Sequence, residues 1–176
     1  MKRQLFAIGF TTLSVLGAFS QVTSASAQIT AQPKTITVRV DQADTQPGIA
    51  FDSGSSLEAQ PDMLVRIFVE NQRIGQASAP DNRVSASFNL QTDGKSAKTL
   101  VPVRVELYDR DDSTQEAIDI NPLAGLKVLN LRYEPSIGNI INERGIKVGD
   151  RGKLFDLEGL GDGEKKATIR LSITHR

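Results

Sequence analysis

The sequence predicts an all-β chain folded as an antiparallel sandwich of two sheets. Three observations point there. Six runs alternate apolar and polar residues with a period of two, the mark of half-buried strands. No run of comparable length keeps the 3.6-residue period of a helix. Gly- and Asp-rich stretches punctuate the gaps, as turn residues do.

The chain opens with secretory-signal anatomy. Lys2 and Arg3 form a short basic region, Leu5 to Phe19 is an apolar stretch diluted by Thr11, Thr12 and Ser14, and Ala25-Ser26-Ala27 is a small-x-small cleavage site. The apolar stretch is short and polar for a membrane span. With no Cys in the chain, lipid attachment has no acceptor. We therefore expect a signal peptide over 1–27, a short leader over 28–33 and one β-sandwich domain over 34–176. The expected location is secreted or periplasmic.

The strands follow in order. Ile36, Val38 and Val40 alternate with Thr37, Arg39 and Asp41. Val65, Ile67 and Val69 follow, then Val84, Ala86, Phe88 and Leu90. Val101, Val103, Val105 and Leu107 come next, then Leu129, Leu131 and Tyr133, and last Ile169, Leu171 and Ile173. A short strand over 73–78 would join the second and third runs. Thr92-Asp93-Gly94-Lys95 reads as a turn. Pro102 has no backbone donor, so its strand is expected to be an edge there or to start there.

Composition narrows the function. Basic and acidic residues number 21 each, so no basic excess invites nucleic acid. His175, the one histidine, is the penultimate residue, which argues against a histidine metal cluster or a Ser-His-Asp triad. No nucleophile–base pair is visible, and we expect no enzyme. The Gly-rich GLGDGE (159–164) lacks a strand–helix context and reads as a turn, not a phosphate cradle.

Two long loops are acidic: Gln42 to Pro61, and Asp109 to Gly125. Long structureless loops in compact domains are usually functional or disordered. With a 73–78 strand in place, an antiparallel path brings these loops and the 79–82 turn to one end of the sandwich. Like charges gathered there repel unless solvated or unless a cation lies between them. A hard cation such as Ca²⁺ takes six to eight oxygens, a set that one loop seldom supplies alone. The stretch from Asp109 is not an EF-hand, since Thr114 and Ile120 stand at its sixth and twelfth positions.

VRVELYDRDDSTQEAIDI (103–120) resembles the strand of a C2 domain that ends in aromatic-Asp-x-Asp, with a third Asp further on. PDMLVRIFVENQRI (61–74) is similar to the C2 segment in which an Asp-Pro pair opens a strand, here as Pro-Asp. APDNRVSASFNL (79–90) resembles its Asn-Pro-x-Trp-x-x-x-Phe segment, with Arg83-Val84 near the aromatic position. Asp-Ile-Asn-Pro and the late Gly-Asp-Gly are similar to secreted bacterial C2-like domains. The resemblance implies an eight-stranded, C2-like antiparallel sandwich. It implies that Asp41 or Asp44, with Asp62, lines one Ca²⁺-binding loop, and that Asp109, Asp111 and Asp119 line another. It implies a non-catalytic module that meets a protein or an anionic surface ligand at that end.

The competing readings are bland. The acidic loops could be solvated surface, with Asp112 and Glu116 facing water, and the domain a metal-free structural or adhesion sandwich acting by protein contacts. Membrane docking is the common C2 role, but the densest basic pair is only Lys165-Lys166. Ile49 and Phe51 are the residues that could insert as apolar tips; otherwise membrane contact is not expected.

Overall fold

The structure, a computed structural model, describes residues 32–46, 49–51, 60–80, 82–111, 114–161 and 165–176. The signal peptide and most of the leader lie outside these residues. Among those described are eleven strands and no helix: β1 (Lys34–Thr45), β2 (Met63–Val69), β3 (Gln72–Ser78), β4 (Ser85–Ser96), β5 (Val101–Arg110), β6 (Gln115–Ile118), β7 (Leu129–Glu134), β8 (Asn139–Asn142), β9 (Lys147–Asp150), β10 (Phe155–Glu158) and β11 (Ala167–His175). They form two antiparallel sheets, one of four strands in the order β10-β11-β1-β4 and one of seven in the order β3-β2-β5-β7-β8-β9. The seventh strand, β6, pairs the upper part of β5 beyond the stretch that β7 covers.

The alternating runs form the core, as their period requires. Ile36, Val38 and Val40 of β1, Val101, Val103, Val105 and Leu107 of β5, and Ile169, Leu171 and Ile173 of β11 point between the sheets and are essentially fully buried. Tyr133 is buried with them, its hydroxyl 2.6 Å from Nδ1 of His175. The sheets approach closely at two glycines. A Cβ on Gly94 would sit 2.9 Å from Cβ of Val69, and one on Gly75 would sit 2.9 Å from Cγ2 of Thr92. Glycine in a strand interior marks such close approach.

Several expectations need correction. There are eleven strands, not eight, because β6, β8, β9 and β10 are four residues each. Such strands are too short to display a period. Thr92-Asp93-Gly94-Lys95 is not a turn: β4 runs through it, with Asp93 opposite Thr37 and Gly94 opposite Ile36. Cross-strand pairing and sheet-to-sheet packing outweigh local turn chemistry there. Pro102 lies at the start of its strand, but that strand is central, between β2 and β7. Pairing to β2 begins only at Val103, so the missing donor is not called upon, and the Pro102 carbonyl accepts from the Glu70 N–H at 3.0 Å.

β1 carries the feature that matters most for the acidic residues. Its pairing to both neighbours shifts between Val40 and Gln42. Toward β11 Asp41 is the extra residue of a bulge, with none between Leu171 and Arg170 to face it; toward β4 the surplus is on β4, where Phe88 and Asn89 face Asp41 and Asn89 has φ of 46°. One inserted residue reverses which side chains face inward. Beyond the bulge Ala43 and Thr45 are buried, and Gln42 and Asp44 face outward.

Candidate functional site at the acidic loop end

β3 is present, so the 79–83 turn, the entry to β2 and the exit of β5 meet at one end. Their hydrogen bonds lace them together. The Asp62 N–H donates to Oδ1 of Asp109 at 2.8 Å, and the Asn82 N–H donates to Oδ1 of Asp62 at 2.7 Å. The backbones follow suit: Arg110 N–H to Asp62 carbonyl at 3.1 Å, Arg83 N–H to Pro61 carbonyl at 3.2 Å. Asp111 closes the β5–β6 hairpin, its Oδ2 accepting from the Thr114 hydroxyl at 2.9 Å.

Asp109 continues the inward parity of β5, so it places a carboxylate at the end of the apolar core, only 1% exposed. Burial pushes its carboxyl above the usual carboxylate range. The Asp62 amide opposes that shift, the charge of Asp111 adds to it, Lys165 opposes it and the charge of Asp62 adds to it. The folded chain therefore holds the Asp109 proton more tightly than the unfolded chain does. The stability this gives is fully present below the unfolded value and is lost as pH rises through the raised one. We expect the melting temperature of wild type minus that of Asp109→Asn to fall as pH rises from about 3 to about 7. A difference that stays flat over that range would contradict the burial.

The other candidates lie elsewhere. Asp119 sits at the far end of β6, 4% exposed, with both oxygens bound by backbone: Oδ1 accepts from Asn121 N–H at 2.8 Å and Oδ2 from Gly161 N–H at 2.6 Å. Its own N–H donates to the Lys165 carbonyl, and its carbonyl accepts from Ala167. Asp119 thus ties the seven-stranded sheet to the start of β11 in the other. Asn121, which follows it, caps the next turn by accepting from Leu123 N–H at 3.0 Å. Asp41 and Asp44 are strand residues on the outer face of the four-stranded sheet. Asp41 pairs with Arg39 at 2.5 Å, and Asp44 accepts from Ser85 at 2.5 Å and Gln42 at 2.7 Å. So Asp62 and Asp109 are brought into contact, with Asp111 near enough for Asp109 to feel its charge, and Asp41 and Asp44 are not among them. Asp112 lies outside the described residues.

One residue of this end escapes sequence reasoning. The Lys165 ammonium, partly buried, donates to the Phe51 carbonyl at 2.7 Å and to Oε2 of Glu116 at 2.6 Å. It therefore joins the loop before β2 to β6, the strand directly opposite Asp109. Its only sequence signal is the Lys165-Lys166 pair. Glu116 is this ammonium's partner, not merely a solvated acid. Phe51 is 6% exposed and belongs to the core, with Ile49 packed against it, so neither is an apolar tip.

The fold is that of a C2 domain. A calcium-bound structure of the two tandem C2 domains of extended synaptotagmin 2 aligns with a TM-score of 0.50 at 16% identity, covering 81% of this chain. This chain spans 45% of that two-domain one. A single C2 domain (TM-score 0.49, 14% identity, 81% of this chain and 97% of that one) is also similar. So is a C2 domain of a plant extended synaptotagmin 1 (TM-score 0.49, 15% identity, 80% and 94%). At these identities the likeness is one of fold. No family model matches the chain, and no curated protein does.

The resemblance implies a divalent ion among the loops. Asp62, Asp109 and Asp111 offer the hard oxygens it would need. Yet among the described residues no group of three or more Asp, Glu, His or Cys side chains is drawn together so as to hold a metal ion. The Asp119 carboxylate is committed to amides, and an ammonium already spans the loops. With that ammonium in place, the described donors do not fit a divalent site.

Proposed function

We propose that the chain is an exported, non-catalytic binding module of C2-like fold whose loop end is assembled without a divalent ion, and that it acts through protein contacts made by its sheet faces and edges. The observation that carries this reading is the Lys165 ammonium, which places a positive charge between the acidic loops from within the chain. Export rests on the signal anatomy of residues 1–27. The sequence shows no nucleophile–base pattern, which supports a non-catalytic role, and the balance of charge gives nucleic acid no purchase. The burial of Phe51 speaks against its insertion into a membrane.

A second reading has its own support. Asp109 is buried beside the charges of Asp62 and Asp111, a negative spot that bound Ca²⁺ would relieve, leaving coordination positions for an anionic surface ligand.

Thermal unfolding in millimolar calcium and in chelator separates the two. We expect melting temperatures within about 1 °C of each other, because a ligand that does not bind the folded state adds no stability, and partner binding or dimers that survive chelation. A rise of several degrees in calcium, abolished by Asp109→Asn with Asp111→Asn, would establish the second reading in place of the first.

A further inference from the structure

Building on the metal-independent reading of the loop end, on which it rests, we propose that Lys165 is a tethered counter-cation. It is a built-in substitute for a divalent ion, which latches Phe51, in the segment between β1 and β2, onto β6 of the β5–β6 hairpin.

The geometry is that of a bridge. Phe51 is 114 residues from Lys165 in the chain and Glu116 is 49 residues away, yet one ammonium binds both within 2.7 Å. One partner is a backbone carbonyl and the other a carboxylate, the two ligand types a hard cation takes from such loops. The ammonium also lies 5.7 Å from the centroid of the Phe51 ring, so the residue whose carbonyl it holds is further fixed by a cation–π contact. Phe51 in turn is part of the hydrophobic core. The ammonium thereby pins a core-anchored loop.

The approach of Lys165 is fixed from behind. Its carbonyl accepts from the Asp119 N–H at 3.0 Å, and Lys166 bridges Asp119 in parallel register. The backbone from which the side chain springs is thus held by the same staple that joins the two sheets. A lysine on a loose loop would lose much of its contact energy to ordering, and this one starts from ordered backbone. Lys153 makes a useful contrast. Its side chain is 77% exposed against 26% for Lys165, and its ion pair to Asp150 spans 4.0 Å, the kind of surface pair that contributes little. Glu116 is itself 49% exposed, so the sheltered part of the Lys165 bridge is its bond to the Phe51 carbonyl.

The test uses Lys165→Met, which keeps the aliphatic stem and removes the charge, beside Lys153→Met as control, each unfolded thermally in chelator and in millimolar calcium chloride. We expect Lys165→Met to melt about 5 °C or more below wild type in chelator and calcium to restore at least half of the loss. Lys153→Met should track wild type in both. The proposal is overturned if Lys165→Met falls no further than the control, or if calcium leaves it where chelator does. Should Lys165→Met not fold in chelator, the milder Lys165→Gln is measured in the same way, with the same two outcomes deciding. A wild-type chain that itself gains several degrees in calcium would instead overturn the metal-independent reading, so the two failures are told apart.

Discussion

Asp119→Ala is expected to lower the melting temperature by roughly 10–15 °C. The substitution strips two backbone donors, Asn121 N–H and Gly161 N–H, of an acceptor that is almost wholly buried. A buried backbone donor left without its acceptor costs about 1–3 kcal/mol, and two are orphaned here. A total near 4 kcal/mol corresponds to roughly 2–4 °C per kcal/mol for a chain of this size. Asp119→Asn keeps one acceptor oxygen and should lose about half as much. The measurement is a thermal melt of the three proteins in chelator, so that no metal enters the comparison. If Asp119→Ala melts like wild type in chelator and differs only in calcium, the residue is a metal ligand and not a staple.

Gly94→Val carries the second large effect, about 3 kcal/mol or more, at the upper end of what overpacking costs. A Cβ at position 94 would lie 2.9 Å from Cβ of Val69 and 3.1 Å from its Cγ2. Val69 lies in β2, between β3 and β5, and Gly94 in β4, an edge strand paired with β1 along most of its length, so neither sheet yields without disturbing its own ladder. A denaturant titration should show a lower midpoint with an unchanged slope. Were Thr92-Asp93-Gly94-Lys95 an exposed turn, the same change would cost little, and a near-neutral result would refute the strand assignment.

The same contrast separates what is legible in the sequence from what is not. The long alternating runs are legible because burial on one face is written residue by residue, and they yield the core from Ile36 to Ile173. The class and the C2 likeness follow. Gly94 is misleading because Thr-Asp-Gly-Lys is turn chemistry by local rules, and only the strand opposite it, far back in the chain, overrides them. Asp44 reads as a loop residue, with Asp41 at the loop's border, because nothing local announces the bulge that extends β1 to Thr45. Asp62, Asp109 and Asp111 can be brought together from sequence because their loops open and close strands whose direction can be counted. Lys165 cannot be found that way. Its partners, Phe51 and Glu116, lie in segments that meet only once both sheets have formed. Asp119 is legible as an important acid but not as a backbone acceptor, since the amides it serves come from Asn121 beside it and Gly161 across the fold.

The Lys165 bridge also bears on the medium in which the chain works. A dissolved ion occupies its site only as its concentration allows, and a chelating or dilute environment empties it. A charge carried on a side chain is present at an effective concentration set by covalent connection, which no dilution lowers. A module held in this way would keep the link between Phe51 and Glu116 whatever the mineral content around it. What it forgoes is the ability to be switched by that content.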